Sequence, residues 1–264
     1  MPSGKTRVLP VVRGLKTQHN LILRYTLLEK RNHPPNAFHP EQHLGLTYLK
    51  LLFNMMFMRV SVHPRLERQH KLYRLAETQH GYFTAAQALR LGYAYQIQQH
   101  HRETGNWLAS NDLRGIYRLR DYPDDTLERL VEISLWSHDR HGKPQGVIGF
   151  QSALVVHQLG GLLMSKIHLI VPSGFRKIPP EDVILHRDHL GAEDVIPFDG
   201  FNITTPLRTL ADVAGSNFSP EYLETAVRDA LERGRVRRLA LEERISSLKS
   251  HAKARLLAAL AVIE

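Results

Sequence analysis

Cysteine is absent from this 264-residue chain. Its absence excludes disulfides, thiolate metal sites and a thiol nucleophile, and it suits a reducing cytoplasm. Long apolar runs are missing as well. The two apolar stretches near the start, Leu21 to Leu28 and Leu44 to Phe57, are short, and the second is interrupted by Lys50; a membrane span needs roughly 20 apolar residues. The first twenty residues are polar and basic where a secretory signal needs an apolar core. Neither export nor membrane insertion is expected, and the location expected is cytoplasmic. Also missing are a Walker phosphate loop, a dinucleotide fingerprint, a nucleophile elbow and a zinc-protease pair.

The polar clusters that remain do not assemble a reaction centre. His138 and His141 lie three apart in the loop HDRHGKP without a third ligand of suitable spacing. His186-Arg187-Asp188-His189 is the densest group of acid, base or ligand side chains, and it falls at the end of a predicted strand, where polar residues are ordinary. Ser152 and His157 are five apart, which on a helix puts them on different faces. No catalytic residue, metal or cofactor is therefore expected, and the chain does not read as an enzyme.

Acidic residues are scarce in the first 120. Met1 to Phe57 holds eight Lys and Arg against two Glu, Met58 to Arg120 ten against four, and Asp121 to Glu264 seventeen against twenty. The overall charge of +9 is thus concentrated in the first half, while the second is mildly acidic. Such polarity points to a head that meets a polyanion and a body with another task. Residues 1–57 fit no element well and contain His33-Pro34-Pro35-Asn36. Two readings stay open: a basic arm that adds phosphate contacts, or an upstream extension ahead of a native start at Met58.

From Arg65 to Thr78 a helix is expected, with Leu66, Gln69, Leu72, Tyr73 and Ala76 as its inner stripe. Thr84 followed three residues later by Gln87 is a capping box, so a short helix begins there and ends at Gly92. A second helix from Ala94 to Thr104 stops at Gly105. Ala94, Ile97 and one of His100 or His101 share its inner face, leaving Tyr95, Gln96, Gln98, Gln99 and Arg102 outward. Trp107 to Ala109 and Gly115 to Leu119 read as a two-stranded ribbon, with Asn111 and Arg114 at its tip. Helix, turn, helix and ribbon in this order outline a winged helix-turn-helix over 58–121. Gln, Tyr and Arg can bond base edges or phosphates, and Gln does so bidentately to adenine. The plainer alternative is a helical hairpin with a solvated polar face.

After Asp121-Tyr122-Pro123 the pattern turns mixed over 122–264. Helices are expected at Thr126 to Ser137 and Gln151 to Leu159, strands at Lys166 to Val171 and Val183 to Arg187, and a hairpin of Val195 to Phe198 with Phe201 to Thr204 turning at Asp199-Gly200. Pro206 to Val213, capped by Thr205, pairs Arg208 with Asp212. Ser219-Pro220 opens a helix to Arg233, a basic knuckle of Arg233, Arg235, Arg237 and Arg238 follows, and Leu239 to Ile263 reads as one long final helix. The fold class is α+β: an N-terminal winged helix-turn-helix, then a mixed α/β domain with a C-terminal helical part.

Several of these stretches carry a family resemblance. Gly81-Tyr82-Phe83-Thr84-Ala85-Ala86-Gln87-Ala88, Gly92-Tyr93, Gly105-Asn106-Trp107 and Arg114-Gly115-Ile116-Tyr117-Arg118-Leu119 resemble the N-terminal domain of the AbiEi antitoxins of type IV, abortive-infection toxin–antitoxin systems. Gln151-Ser152-Ala153-Leu154 with His157, His168-Leu169-Ile170-Val171-Pro172 and Thr204-Thr205-Pro206-Leu207-Arg208-Thr209-Leu210-Ala211-Asp212 are similar to that family's second domain. Together they cover about Leu66 to Arg235. The resemblance implies a bacterial regulator that binds double-stranded DNA at its own promoter, represses its operon, and counteracts a nucleotidyltransferase-type toxin without a stable complex. It implies too that antitoxin activity belongs to the second domain. A stand-alone winged-helix regulator whose second domain dimerises or senses a ligand is an alternative, as is a nuclease targeted by a winged helix. Oligomeric state and operator sequence are not legible.

Overall fold

A computed structural model of the chain describes residues 64–263; the expectations for 1–57 and for a start at Met58 lie outside the described residues. Helix α1, Pro64–Glu77, buries Leu72 and Ala76. Its inner stripe is rotated from the expected one, since Leu66 and Tyr73 are 49% and 55% exposed. Two polar ties at its ends set that rotation. Arg68 donates to the Gly92 carbonyl at 2.8 Å, and just past the helix Gln79 Nε2 bonds the Tyr82 carbonyl at 2.9 Å.

Strand β1, Tyr82–Thr84, leads into helix α2, Ala85–Arg90, through the expected capping box. Thr84 Oγ1 accepts from the Gln87 amide, and the Gln87 side chain accepts from the Thr84 amide. Gly92 then adopts a φ of +88°, which a residue with Cβ rarely does. Its conformation lets the Tyr93 amide close on the Ala88 carbonyl at 3.0 Å and turns the chain into helix α3, Tyr95–Glu103. Ala94 is exposed as the residue ahead of α3, rather than inward as expected.

Strands β2, Trp107–Ala109, and β3, Ile116–Leu119, form the expected pair, but the sheet has three strands in the order β1-β3-β2, all antiparallel. Phe83 faces Tyr117 across one edge and Trp107 faces Leu119 across the other. Phe83 and Trp107 meet edge to face at 4.8 Å in a small core with Leu72, Ala76, Ala88 and Tyr93.

The tip of the β2–β3 pair does not end in solvent. Leu113 and Ile116 are buried with Leu130, Val131 and Ile133 of helix α4, Glu128–Ser137. Past α4 come β4 (Val147–Ile148), helix α5 (Phe150–Val156), β5 (Ile167–Val171) and β6 (Val183–Arg187). A 3-10 turn at Ala192–Asp194 precedes β7 (Val195–Phe198) and β8 (Phe201–Thr204). These strands make a mixed sheet in the order β6-β5-β4-β8-β7. β4–β8 and β5–β6 are parallel, and β4–β5 and β7–β8 antiparallel. All five residues of β5 are buried, so both of its faces are covered rather than one as alternation suggests.

Helices α6 (Pro206–Ala214), α7 (Pro220–Glu232), α8 (Arg238–Ser246) and α9 (Ser250–Ile263) close the chain around Leu154, Leu210, Leu223, Val227, Leu241 and Leu256. The final helix expected as one piece is two. Ser246 and Ser247 bond back to the carbonyls of Glu243 and Arg244, a local competitor of helix continuation, and Leu248 packs against the core. The class is α+β, with nine α-helices and two sheets among the described residues. None of those helices is long and apolar enough to cross a membrane.

Leu113 is the apolar pin of the β2–β3 tip. Leu113→Ala is expected to cost about 2–5 kcal/mol in urea unfolding, as removal of a buried leucine does; a change under about 0.5 kcal/mol would show that the tip is not packed.

Candidate nucleic-acid interface

Helix α3 is short, and its inner contacts dictate what it shows outside. Gln98, expected outward, is a correction: it is 2% exposed. Its Nε2 donates to the carbonyls of Tyr93 and Ala85 at 2.8 and 3.1 Å. The Tyr93 carbonyl, just ahead of α3, has Gln98 as its donor, and the Ala85 carbonyl in the first turn of α2 takes a second bond from the same amide; a buried carbonyl without a donor costs more than burying one amide side chain. Gln98 is thus a structural bracket between α2 and α3.

The other expected residues do face outward. Tyr95 is 68% exposed, and Gln96, Gln99 and Arg102 are exposed as well. Between this face and the strand pair lies a groove of about 560 Å³ lined by Tyr95, Gln99, Arg102, Glu103 and Tyr117 among others. Two contacts order its side chains. Gln99 Nε2 donates to Glu103 Oε1 at 2.8 Å, one helical turn on, and the Arg102 guanidinium stands 5.8 Å from the centre of the Tyr117 ring. Tyr117 and Glu103 were not among the expected residues. The spacing of four between Gln99 and Glu103 was a legible signal; the approach of Tyr117 to α3 was not.

Asn111 and Arg114 are exposed at the β2–β3 tip. Their loop is fixed by Asp112, which pairs with Arg129 of α4 at 2.6 Å, while Arg129 also bonds Asp182 at 2.9 Å and Glu132 at 2.7 Å. The bond to Arg129 holds the Asp112 carboxyl below the usual carboxylate range, and hydrogen bonds to Asp182 and Asp112 raise the Arg129 guanidinium further. Arg118, on the same strand pair, is spent elsewhere: it pairs with Asp124 and Glu128 at 2.7 and 2.9 Å.

The polar motifs of the larger sheet form structural bonds. Arg208 joins Asp188, Asp194 and Asp212, the last at 2.8 Å. Burial pushes the Asp212 carboxyl up to about 6, against the pull of Arg208. His186 Nε2 lies 2.9 Å from His168 Nδ1, with Phe150 stacked on His186, and burial lowers His168 to about 4. Ser152 bonds the Lys166 carbonyl and the His168 amide, and His157 bonds the Thr204 carbonyl, so these two side chains have separate partners. Among the described residues no group of three or more His, Asp or Glu side chains can hold a metal ion.

No family model matches the chain, and no curated protein matches it in sequence.

The two adjacent glutamines should separate cleanly. Gln98→Leu removes the donor to the Tyr93 carbonyl and the tie to Ala85, and is expected to lose about 1–3 kcal/mol of stability. Gln99→Ala is expected to stay within about 0.5 kcal/mol. Equal losses in urea unfolding would contradict the placement of Gln98.

Proposed function

We propose that α1, α2, α3 and the three-stranded sheet act as a winged helix-turn-helix that binds double-stranded DNA, and that the protein is a transcriptional regulator of its own promoter. The observation that carries this reading is the outer face of α3: Tyr95, Gln96, Gln99 and Arg102 exposed together, beside a strand-pair tip that presents Asn111 and Arg114. Side chains of this kind near a helix N-terminus suit base edges in a major groove, and a cation at a wing tip suits the phosphate backbone. The excess of positive charge in the first 120 residues supports it. The interface is drawn from Tyr95, Gln96, Gln99, Arg102, Asn111 and Arg114, without Gln98. A cytoplasmic location belongs to the same proposal.

The antitoxin role is the finer part of the proposal and rests on the resemblance to AbiEi antitoxins. On that reading the body after residue 121 counteracts a nucleotidyltransferase-type toxin without forming a stable complex with it. Sequencing the flanking DNA tests it: a toxin-like nucleotidyltransferase reading frame immediately downstream is expected, and its absence would favour a stand-alone regulator.

Gel-shift titration on the chain's own upstream DNA, with random DNA as competitor at fixed salt, tests the DNA reading. Alanine at Gln96, Gln99 and Arg102 together is expected to abolish selectivity, since a good bidentate base contact is worth about 1–3 kcal/mol. Arg114→Ala is expected to weaken specific and random DNA alike and lower the salt slope by about 0.9. Equal, weak binding of all three proteins to every DNA would refute the proposal.

A further inference from the structure

A cavity of about 610 Å³ lies on the reverse of α3, walled by α1 and by the ends of the strands. This size is within the range of small-molecule sites, roughly 300–1,000 Å³. Ile97, His100 and His101 face it, whereas Tyr95, Gln99 and Arg102 line the groove on the other side of the helix. Its floor is aromatic: Trp107 stacks on His101 with ring centres 4.6 Å apart, and Tyr93 meets Trp107 at 5.1 Å. Tyr73 stands on one wall and His100 on another, both exposed.

The walls of this cavity include buried side chains that hold one another in place. Tyr93 is 5% exposed, and the Arg68 guanidinium stands 5.5 Å from the centre of its ring. Arg68 spends Nη1 on the Gly92 carbonyl, but its buried Nε has no partner, nor has the buried Nδ1 of His101. Arg68 and Arg120 share the lining with a single carboxylate, Asp121. The site is therefore cationic as well as aromatic.

A ligand that satisfies both must carry a planar ring and an anionic group joined by a polar spacer. We propose that this cavity binds a nucleoside phosphate, with the base against the exposed rings of Tyr73 and His100 and the phosphate at Arg68 and Arg120. Asn106, at the rim, offers an amide to the sugar. Arginine suits the phosphate because its planar fork meets two oxygens at once. The site is independent of whether α3 reads DNA, and it touches the reverse of that helix without covering the outer face.

Calorimetric titration of the full chain, without DNA, with ADP, GDP, adenosine, guanosine and pyrophosphate tests the proposal. At least one nucleotide is expected to bind saturably and at least about ten-fold more tightly than its nucleoside or pyrophosphate, a preference of about 1.4 kcal/mol. Tyr73→Ala and Arg120→Ala alter exposed side chains, so both proteins should fold; each is expected to weaken the nucleotide by about ten-fold with the unliganded melting temperature unchanged. Absence of saturable nucleotide binding, equal binding of pyrophosphate, or indifference to both substitutions overturns it.

Discussion

Strand β3 has two faces, and both are packed against other elements. Tyr117 and Leu119 pack with Phe83 and Trp107 into the small core under α1 to α3. Ile116 turns the other way into the core of the five-stranded sheet, and Arg118 on that same side pairs with Glu128 of α4. The strict alternation of a β-strand allows no intermediate: a slip of one residue would exchange the two sets and place Arg118 in an apolar core. The neighbouring β1 obeys the same rule, with Phe83 on the inner side of the small core and Tyr82 packed toward α4. One four-residue strand thereby locks the helices that display the candidate interface to the sheet that follows.

Polar ties at His80 and at Arg129 reinforce this lock, and a close backbone approach at Gly200 adds to them. His80, 6% exposed, lies 3.1 Å from Asp125 and 3.1 Å from Asp199, joining the α1–β1 turn to the approach of α4 and to the β7–β8 turn. Gly200, at a φ of +84°, passes close to the Thr78 carbonyl and His80, where a side chain would not fit without a shift. Arg129 gathers carboxylates from positions 112, 132 and 182. The partly exposed pairs of Arg129 with Asp112 and Asp182 add little stability, about 0–1 kcal/mol each; their effect is to set register and angle. A strand-pair tip held in this way meets a ligand in a preset position, and less ordering entropy is lost when it binds.

Much of this was legible in the residues. The Thr84–Gln87 capping box, the stop at Gly92, the bounds of β2, the hairpin at Asp199-Gly200 and the Arg208–Asp212 pair follow from short-range rules, and all are present. What could not be read depends on groups far apart in the chain. Gln98 has the outward look of its neighbours, and only the carbonyls of Tyr93 and Ala85 beneath it draw it inside. β1 is three residues long, too short for its pattern to compete with the helix cap that ends it. The second face of the β2–β3 pair could not be assigned a partner from the residues, because Leu130, Val131 and Glu128 come after the turn at Asp121-Tyr122-Pro123. Outward residues on α3 were otherwise well placed by period alone.

Amide hydrogen exchange of the full chain, with and without a duplex carrying its own promoter, tests the central proposal most directly, because it reads which backbone is covered and does not depend on any substitution. The account predicts added protection over Tyr95–Glu103 and over the loop of residues 110–115, with α7 to α9 unchanged. Protection confined to the five-stranded sheet or the C-terminal helices, or none at saturating DNA, would contradict it.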